Sequence, residues 1–291
     1  MKLFLLWAVW LTATPLFAEQ VVTDDLGNVI HLAAPPQRIV SLTPHITELL
    51  YAVGAGDRLV AAVDYSDYPA AAKSLPRIGN AERIDHERLL QVRPDLIIAW
   101  GSGTPARELD SLRHLGVPMY LSEPRRLDAI GAQLRVFGEI AGTSAQAEIA
   151  AQEYEHRLTE LRARYAANPQ RTVFYQLAQQ PLLTVNREHL INDVLMLCGG
   201  VNLFADVPAL TPRVDIEAVL AARPEAVVFA LYPGESVHPS CDAAHVGRCG
   251  TDLCGVALRN LLSNSCSVIP AQTGIQGFTT DEGSGSRHSP G

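Results

Sequence analysis

Apolar and polar positions fall in blocks along this chain, and two of the blocks read almost alike. Ile84-Asp85-His86-Glu87-Arg88-Leu89-Leu90-Gln91-Val92-Arg93-Pro94-Asp95 runs into the apolar stretch Leu96 to Ala99. Val214-Asp215-Ile216-Glu217-Ala218-Val219-Leu220-Ala221-Ala222-Arg223-Pro224-Glu225 runs into Ala226 to Phe229. Each copy predicts a short amphipathic helix, an Arg-Pro stop and a buried strand, because proline cannot continue a helix. A unit used twice predicts two similar lobes. Two lobes facing each other would make a cleft, which suits a binding protein before any catalytic motif is sought.

The remaining pattern fits that plan. An apolar–polar stretch from Val21 to Leu32 around Asp24-Asp25-Leu26-Gly27-Asn28 predicts a hairpin. Arg38 to Leu42 predicts a strand, Thr43-Pro44 a helix start with its end near Gly54 or Gly56, and Leu59 to Val63 a second strand. Helices at 85–92, 105–115 and 127–140 alternate with strands at 95–100 and 117–121, so the fold class is α/β with a parallel sheet covered on both faces. Ala150, Tyr154, Leu158, Leu161 and Tyr165 recur at helical spacing. They predict one helix over 143–166, about 24 residues and roughly 36 Å long, enough to run along both Rossmann-like lobes. Strand 172–177, helix 189–198, helix 216–222 and strand 226–231 come next, and then the periodicity stops. The expected organisation is a leader at 1–18, an N-terminal α/β lobe at 19–142, an interlobe helix at 143–168, an incomplete C-terminal α/β lobe at 169–240 and an atypical tail at 241–291, disordered or frameshifted.

Composition narrows the function. A net charge of -8 gives no basic surface for nucleic acid. Lys2, the apolar run Leu3 to Leu11 and Pro15-Leu16-Phe17-Ala18 read as a secretory signal over residues 1–18, which predicts a periplasmic protein. Cys198 stands alone as far as residue 240, and then Cys241, Cys249, Cys254 and Cys266 crowd together. An exported body with one cysteine needs no disulfide framework, so the cluster looks foreign to it. The peptide Ser267 to Gln276 is similar to translations of short repeated bacterial elements, which suggests a frameshift near residue 240. Against that, Leu253, Ala257, Leu258, Leu261 and Leu262 could form one face of a helix.

Candidate chemistry is sparse. Gly101-Ser102-Gly103-Thr104-Pro105-Ala106, with Glu123 after the next strand, fits a loose dinucleotide fingerprint, but only two glycines are in place and Pro105 interrupts it. A nicotinamide-dependent oxidoreductase is therefore the distant alternative. The histidines have no ligand spacing. His45 starts a helix at the carboxyl end of the first strand, the edge where open α/β sheets bind ligands, and could be an axial ligand to a metal complex. Tyr65, Tyr68 and Trp100 also lie at carboxyl ends of strands, where rings can stack on a large flat ligand or simply pack within the lobe. Glu87 and Glu217 occupy equivalent places in the two copies. Singly each is a solvated acid; as a pair, one on each lobe, they could grip arginines on a two-fold partner. No nucleophile elbow, phosphate loop or supported acid pair is present, so no enzymatic reaction is expected.

At these residues the chain resembles the exported substrate-binding proteins of ABC importers for vitamin B12, iron-siderophores and haem. The likeness rests on Arg38-Ile39-Val40-Ser41-Leu42-Thr43-Pro44 with Thr47-Glu48, Tyr65-Ser66-Asp67-Tyr68-Pro69, Arg93 to Trp100, and Cys198-Gly199-Gly200-Val201-Asn202-Leu203-Phe204, and runs from about residue 21 to 235. It implies a monomer that holds a cobalt corrinoid, with haem or a ferric siderophore as the alternative. Tyr65 and Trp100 would line the ligand, His45 would stand near its rim, and Gly101 would lie in the same loop. It further implies that Glu87 and Glu217 dock on arginines of an inner-membrane permease working with its ATPase, and that no catalytic cofactor is held. At three positions where corrinoid binders present rings, this chain has Ala81, Leu177 and Thr211. The family also continues through further helix and strand where this chain has its tail.

Overall fold

A computed structural model describes residues 19–80, 83–230 and 266–270. The chain divides into two compact units, one ending at Pro124 and resuming over Ile130–Tyr154, the other made of Arg125–Ala129 and the chain from Glu155 onward. The leader-like segment, Ala81, the apolar stripe at 253–262 and the proposed frameshift point all lie outside the described residues.

The first unit opens with β1 (Gln20–Thr23) and β2 (Val29–Leu32), an antiparallel hairpin. Asp24 makes its turn, Oδ1 accepting from the N–H groups of Leu26 at 3.0 Å and Asn28 at 2.8 Å. Then come β3 (Ile39–Ser41), α1 (Pro44–Ala52), β4 (Leu59–Ala62), the short pair β5 (Gly79–Asn80) and β6 (Arg83–Ile84), α2 (His86–Gln91), β7 (Leu96–Trp100), α3 (Ala106–Arg113), β8 (Met119–Ser122), α4 (Leu127–Ala141) and α5 (Ser144–Tyr165). The sheet order is β4-β3-β7-β8, all parallel. Side chains alternate between its faces. Ile39, Leu96 and Ile98 pack with Ile46, Leu50 and Phe137, while Val40, Ile97 and Ala99 pack with Leu89, Leu109 and Leu112 on the other side. Burial on both faces is why these strands read as unbroken apolar runs.

The first half of α5 departs from the expected stripe. Ala147 and Ala151 are fully buried, while Ala150 and Tyr154 are only partly so. The reason lies in α4, where a Cβ on Gly138 would collide with that of Ala147, so two small residues let the helices meet closely. The second half fits the expected stripe, with Leu158, Leu161 and Tyr165 buried. From Glu155 onward α5 belongs to the second unit.

The second unit contains β9 (Arg171–Gln176), α6 (Leu190–Leu197), β10 (Gly200–Asn202), α7 (Ile216–Ala222), β11 (Ala226–Ala230) and β12 (Cys266–Pro270), with sheet order β10-β9-β11-β12. The first three strands are parallel. β12 runs antiparallel to β11, from Ala226 opposite Pro270 to Ala230 opposite Cys266. β12 falls within the stretch 241–291 set apart above as an atypical tail.

Candidate functional site

The carboxyl edge of the first sheet collects most of the residues singled out from sequence. His45, the second residue of α1, is half-buried, and its ring meets that of Trp100, the last residue of β7, edge to face at 5.4 Å and 88°. Burial among protein atoms strips water from the imidazole and lowers its pKa to about 4, so it is neutral at pH 7. Part of its surface still reaches solvent.

The glycine loop after β7 serves this aromatic pair. A Cβ on Gly103 would run into the Trp100 indole, so only glycine lets the ring lie on the loop. The Gly101 N–H donates to the Ser122 carbonyl at 3.0 Å and the Ser102 N–H to Glu123 Oε2 at 2.7 Å. A carboxylate therefore occupies the donor that a dinucleotide phosphate would need, and its charge repels such a group. The fingerprint-like glycines are explained by Trp100 and Glu123.

Tyr65 and Tyr68 come after β4 and are 73% and 63% exposed. Tyr65 holds a left-handed φ of 64°, a conformation that costs a non-glycine residue about 1–3 kcal/mol. The loop is nonetheless pinned. The Asp64 N–H donates to the Gly79 carbonyl at 2.8 Å, the Asp67 N–H to the Tyr65 carbonyl at 2.9 Å, and Arg77 Nη2 to the Ser66 carbonyl at 2.9 Å. Large rings held in solvent on a strained, fastened loop are the feature of this edge that core packing does not explain.

In the second unit, Leu177 lies just beyond β9, half-buried, its N–H donating to the Leu183 carbonyl at 2.8 Å. Thr211 is exposed between Leu210 and Pro212, whose carbonyls accept from the N–H groups of Asn186 and Thr184, both at 3.0 Å. Leu183 bridges to both Ala178 and Arg213, so Leu177 and Thr211 flank one irregular sheet patch. Sequence reading missed the buried amides beneath it. Asn202 Nδ2 donates to the Val185 carbonyl at 2.9 Å and to Asn192 Oδ1 at 3.1 Å, and Asn186 Nδ2 donates to the Val207 carbonyl at 3.2 Å. Asn202 stood within the Cys198–Phe204 match, and an asparagine ending an apolar turn was the available signal.

The repeated unit is repeated in space. Arg93 and Arg223, each before its proline, both adopt left-handed φ, 45° and 50°. Asp95 accepts from the N–H groups of Gln37 at 2.7 Å and Arg38 at 2.9 Å, at the foot of β3; Glu225 accepts from the Thr172 N–H at 2.7 Å, where the pairing of β9 begins. Glu87 and Glu217 are exposed in the first turns of α2 and α7, and neither has an ion pair among the described residues. Three residues on, Leu90 and Leu220 are 49% and 60% exposed.

The sequence matches the family described as periplasmic binding protein over residues 39–232. The chain belongs to the periplasmic binding protein family. It is 43% identical over 193 residues, 66% of this chain and 70% of the relative, to a vitamin B12-binding protein of Vibrio cholerae serotype O1, and 40% identical over 196 residues to that of Yersinia pestis, covering 67% and 70%. Among solved structures it is similar to the periplasmic vitamin B12 binding protein BtuF of Vibrio cholerae (TM-score 0.62, 42% identity, covering 67% of this chain and 77% of that one). It is also similar to a periplasmic heme binding protein of Pseudomonas aeruginosa (TM-score 0.60, 29% identity, covering 69% and 74%). The matched family is one of substrate-binding proteins.

Away from this edge, a groove of about 330 Å³ in the second unit is lined by Arg126, Arg162, Tyr165, Asp193 and Met196. Its charges are already paired, Arg126 with Asp193 at 3.1 Å and Arg162 with Asp128 at 2.8 Å, so it offers no convergent free group. Among the described residues no group of three or more His, Cys, Asp or Glu could hold a metal ion, and no helix is long and apolar enough to cross a membrane.

Proposed function

We propose that this chain captures a corrinoid in the periplasm, as a monomer, and delivers it to an inner-membrane ABC permease and its ATPase without performing chemistry. The observation that carries the reading is the pair of exposed rings, Tyr65 and Tyr68, on a pinned loop at the same sheet edge as Trp100 and His45. Flat faces with one polar edge suit a large macrocycle, and about 40% identity to vitamin B12-binding proteins supports the corrinoid. Leu177 and Thr211 offer contact without a ring to stack, and Gly101 would set the height of the Trp100 loop. Delivery would use Glu87 and Glu217, two acids without ion pairs among the described residues, at equivalent points of a duplicated unit and each with an exposed leucine beside it. Such a duplicated patch fits a partner that presents the same basic site twice.

Titrating cyanocobalamin into the folded protein in a calorimeter tests capture. Saturable one-to-one binding below micromolar is expected, and a flat titration on folded protein would refute the corrinoid. A second reading, haem, draws support from the neutral imidazole of His45, since a neutral ring is the form that ligates iron. A Soret shift with haemin that disappears in His45→Ala, alongside a flat cyanocobalamin titration, would replace the first reading with it. Delivery is tested separately: Glu87→Ala with Glu217→Ala is expected to abolish permease-dependent uptake while leaving ligand affinity unchanged.

A further inference from the structure

Arg77 belongs to none of the motifs that mark the ligand edge, yet it touches the loop that carries them. Its backbone is fixed on both sides. The Ala62 N–H donates to the Pro76 carbonyl at 3.0 Å, the Ile78 N–H donates to the Ala62 carbonyl at 3.1 Å, and Arg88 Nη1 of α2 donates to the Arg77 carbonyl at 3.3 Å. From that fixed base the guanidinium, 24% exposed, reaches into the turn between the two tyrosines. There Nη2 donates to the Ser66 carbonyl at 2.9 Å and to Asp67 Oδ1 at 3.2 Å, while Nη1 is buried without a partner among the described residues.

The turn itself has little else at that point. Ser66 is 1% exposed, its hydroxyl has no partner among the described residues, and its N–H reaches the Val63 carbonyl only at 3.4 Å. Removing the guanidinium would leave the buried end of the turn without its charged donor, while the left-handed φ of Tyr65 favours relaxation. The loop would then sample conformations in which the rings no longer stand in their present places.

We propose that Arg77 is a positioning residue for ligand capture: it holds Tyr65 and Tyr68 in the presented conformation without touching the ligand. This rests on the tyrosine loop being the platform for the corrinoid. Both bonds come from Nη2; lysine would keep the charge, but its side chain ends one bond nearer its own backbone, so it would hold the turn less well.

Two readouts on Arg77→Met test it, after circular dichroism shows that the variant folds; Arg77→Lys replaces it if it does not. The first needs no ligand. Amide exchange at Asp67, whose N–H bonds within the turn, should rise about tenfold while exchange in α1 stays unchanged. The second is cyanocobalamin affinity, which should fall about tenfold in the native background and not fall further in a Tyr65→Ala, Tyr68→Ala background. Unchanged exchange at Asp67 would overturn the proposal. So would an affinity loss that persists undiminished without the two rings, because Arg77 would then be acting on the ligand or on the whole lobe. A native protein that binds no cyanocobalamin refutes the corrinoid reading, and the exchange result still decides whether Arg77 orders the loop.

Discussion

The two copies of the repeated unit agree where the chain turns and differ in the elements packed after the turn. In both, an apolar residue on the helix is buried (Leu89, Val219), an arginine takes a left-handed φ, and the next acid reaches the foot of the neighbouring strand. In the first unit β7 then gains α3 and a parallel neighbour, β8; in the second, β11 pairs with the antiparallel β12. The helices register the difference. His86 at the start of α2 bonds Glu108 of α3 at 2.6 Å, and Asp85 caps the helix through the Arg88 N–H at 3.0 Å. In α7 the counterpart Ile216 is 36% exposed and Asp215 makes no side-chain cap. The lesson is that the turn is held by its bond to the neighbouring strand, which both copies keep, while the helix before it is better fixed in the copy where it has a cap and a partner helix.

The largest expected effect comes from breaking the odd strand. Deleting residues 241–291 removes β12 and leaves the N–H and C=O groups of β11 on an open edge. A domain's stability is only about 5–15 kcal/mol, so a lost edge can consume much of it. Amide exchange in β11 should rise toward the unfolded rate while β7 keeps its protection. Even in the full chain, thermolysin should cleave the second unit before the first. Equal resistance of the two units would remove the asymmetry from the comparison.

The shared acid clamp comes next. Asp95→Ala takes an acceptor from two backbone N–H groups, and about 1–3 kcal/mol of first-unit stability should go with it in denaturant unfolding. Glu225→Ala should destabilise the second unit in the same direction, because it takes the acceptor from the Thr172 N–H. The Thr172 N–H, and then Arg171, hold the Glu225 carboxyl below its ordinary value of 4.5. A lowered folded pKa means that its contribution is present above pH 4.5 and is lost as pH falls through the lowered value. Glu225→Gln should flatten that acid limb.

Much of this fold is legible in the sequence, and the reasons are specific. Helix 216–222 is legible to the residue, and strand 95–100 to within one, because apolar runs bounded by Arg-Pro and Gly leave few alternatives. β10 is not legible: Gly200-Val201-Asn202 has no apolar run, and the strand exists because β9 offers it a partner. β12 is obscured by a tail whose composition breaks with the rest. At the carboxyl edge of the first sheet, residue type and strand ends locate Tyr65, Trp100 and His45. Arg77 is invisible, since its role depends on a carbonyl 11 residues back in the chain.

A smaller effect separates strain from binding at Tyr65. Tyr65→Gly accommodates the φ of 64° without penalty, so the first unit should gain or hold stability, by up to about 1 kcal/mol in thermal unfolding. Cyanocobalamin affinity should fall, because a stacked ring is gone. If stability falls instead, the ring is packing within the lobe and is not a platform. Nothing equivalent is expected at Leu177, whose backbone is bonded within its sheet patch.

The last effect is a pH dependence confined to the first unit, absent at neutral pH and growing as pH falls. His45 titrates at about 4 when folded, against 6.5 when free of the fold, because burial disfavours the imidazolium. Between those values the unfolded chain binds a proton that the folded chain refuses, so stability is full above about pH 6.5 and declines as pH falls toward 4. Thermal unfolding followed by Trp100 fluorescence should show that decline, since the two rings touch. His45→Phe keeps a ring against Trp100 and removes the titration, so its unfolding temperature should stay flat across the same window. A variant that keeps the full slope would assign the titration to another group. It would also remove the physical basis for a neutral imidazole beside Trp100, and with it the support for the haem reading.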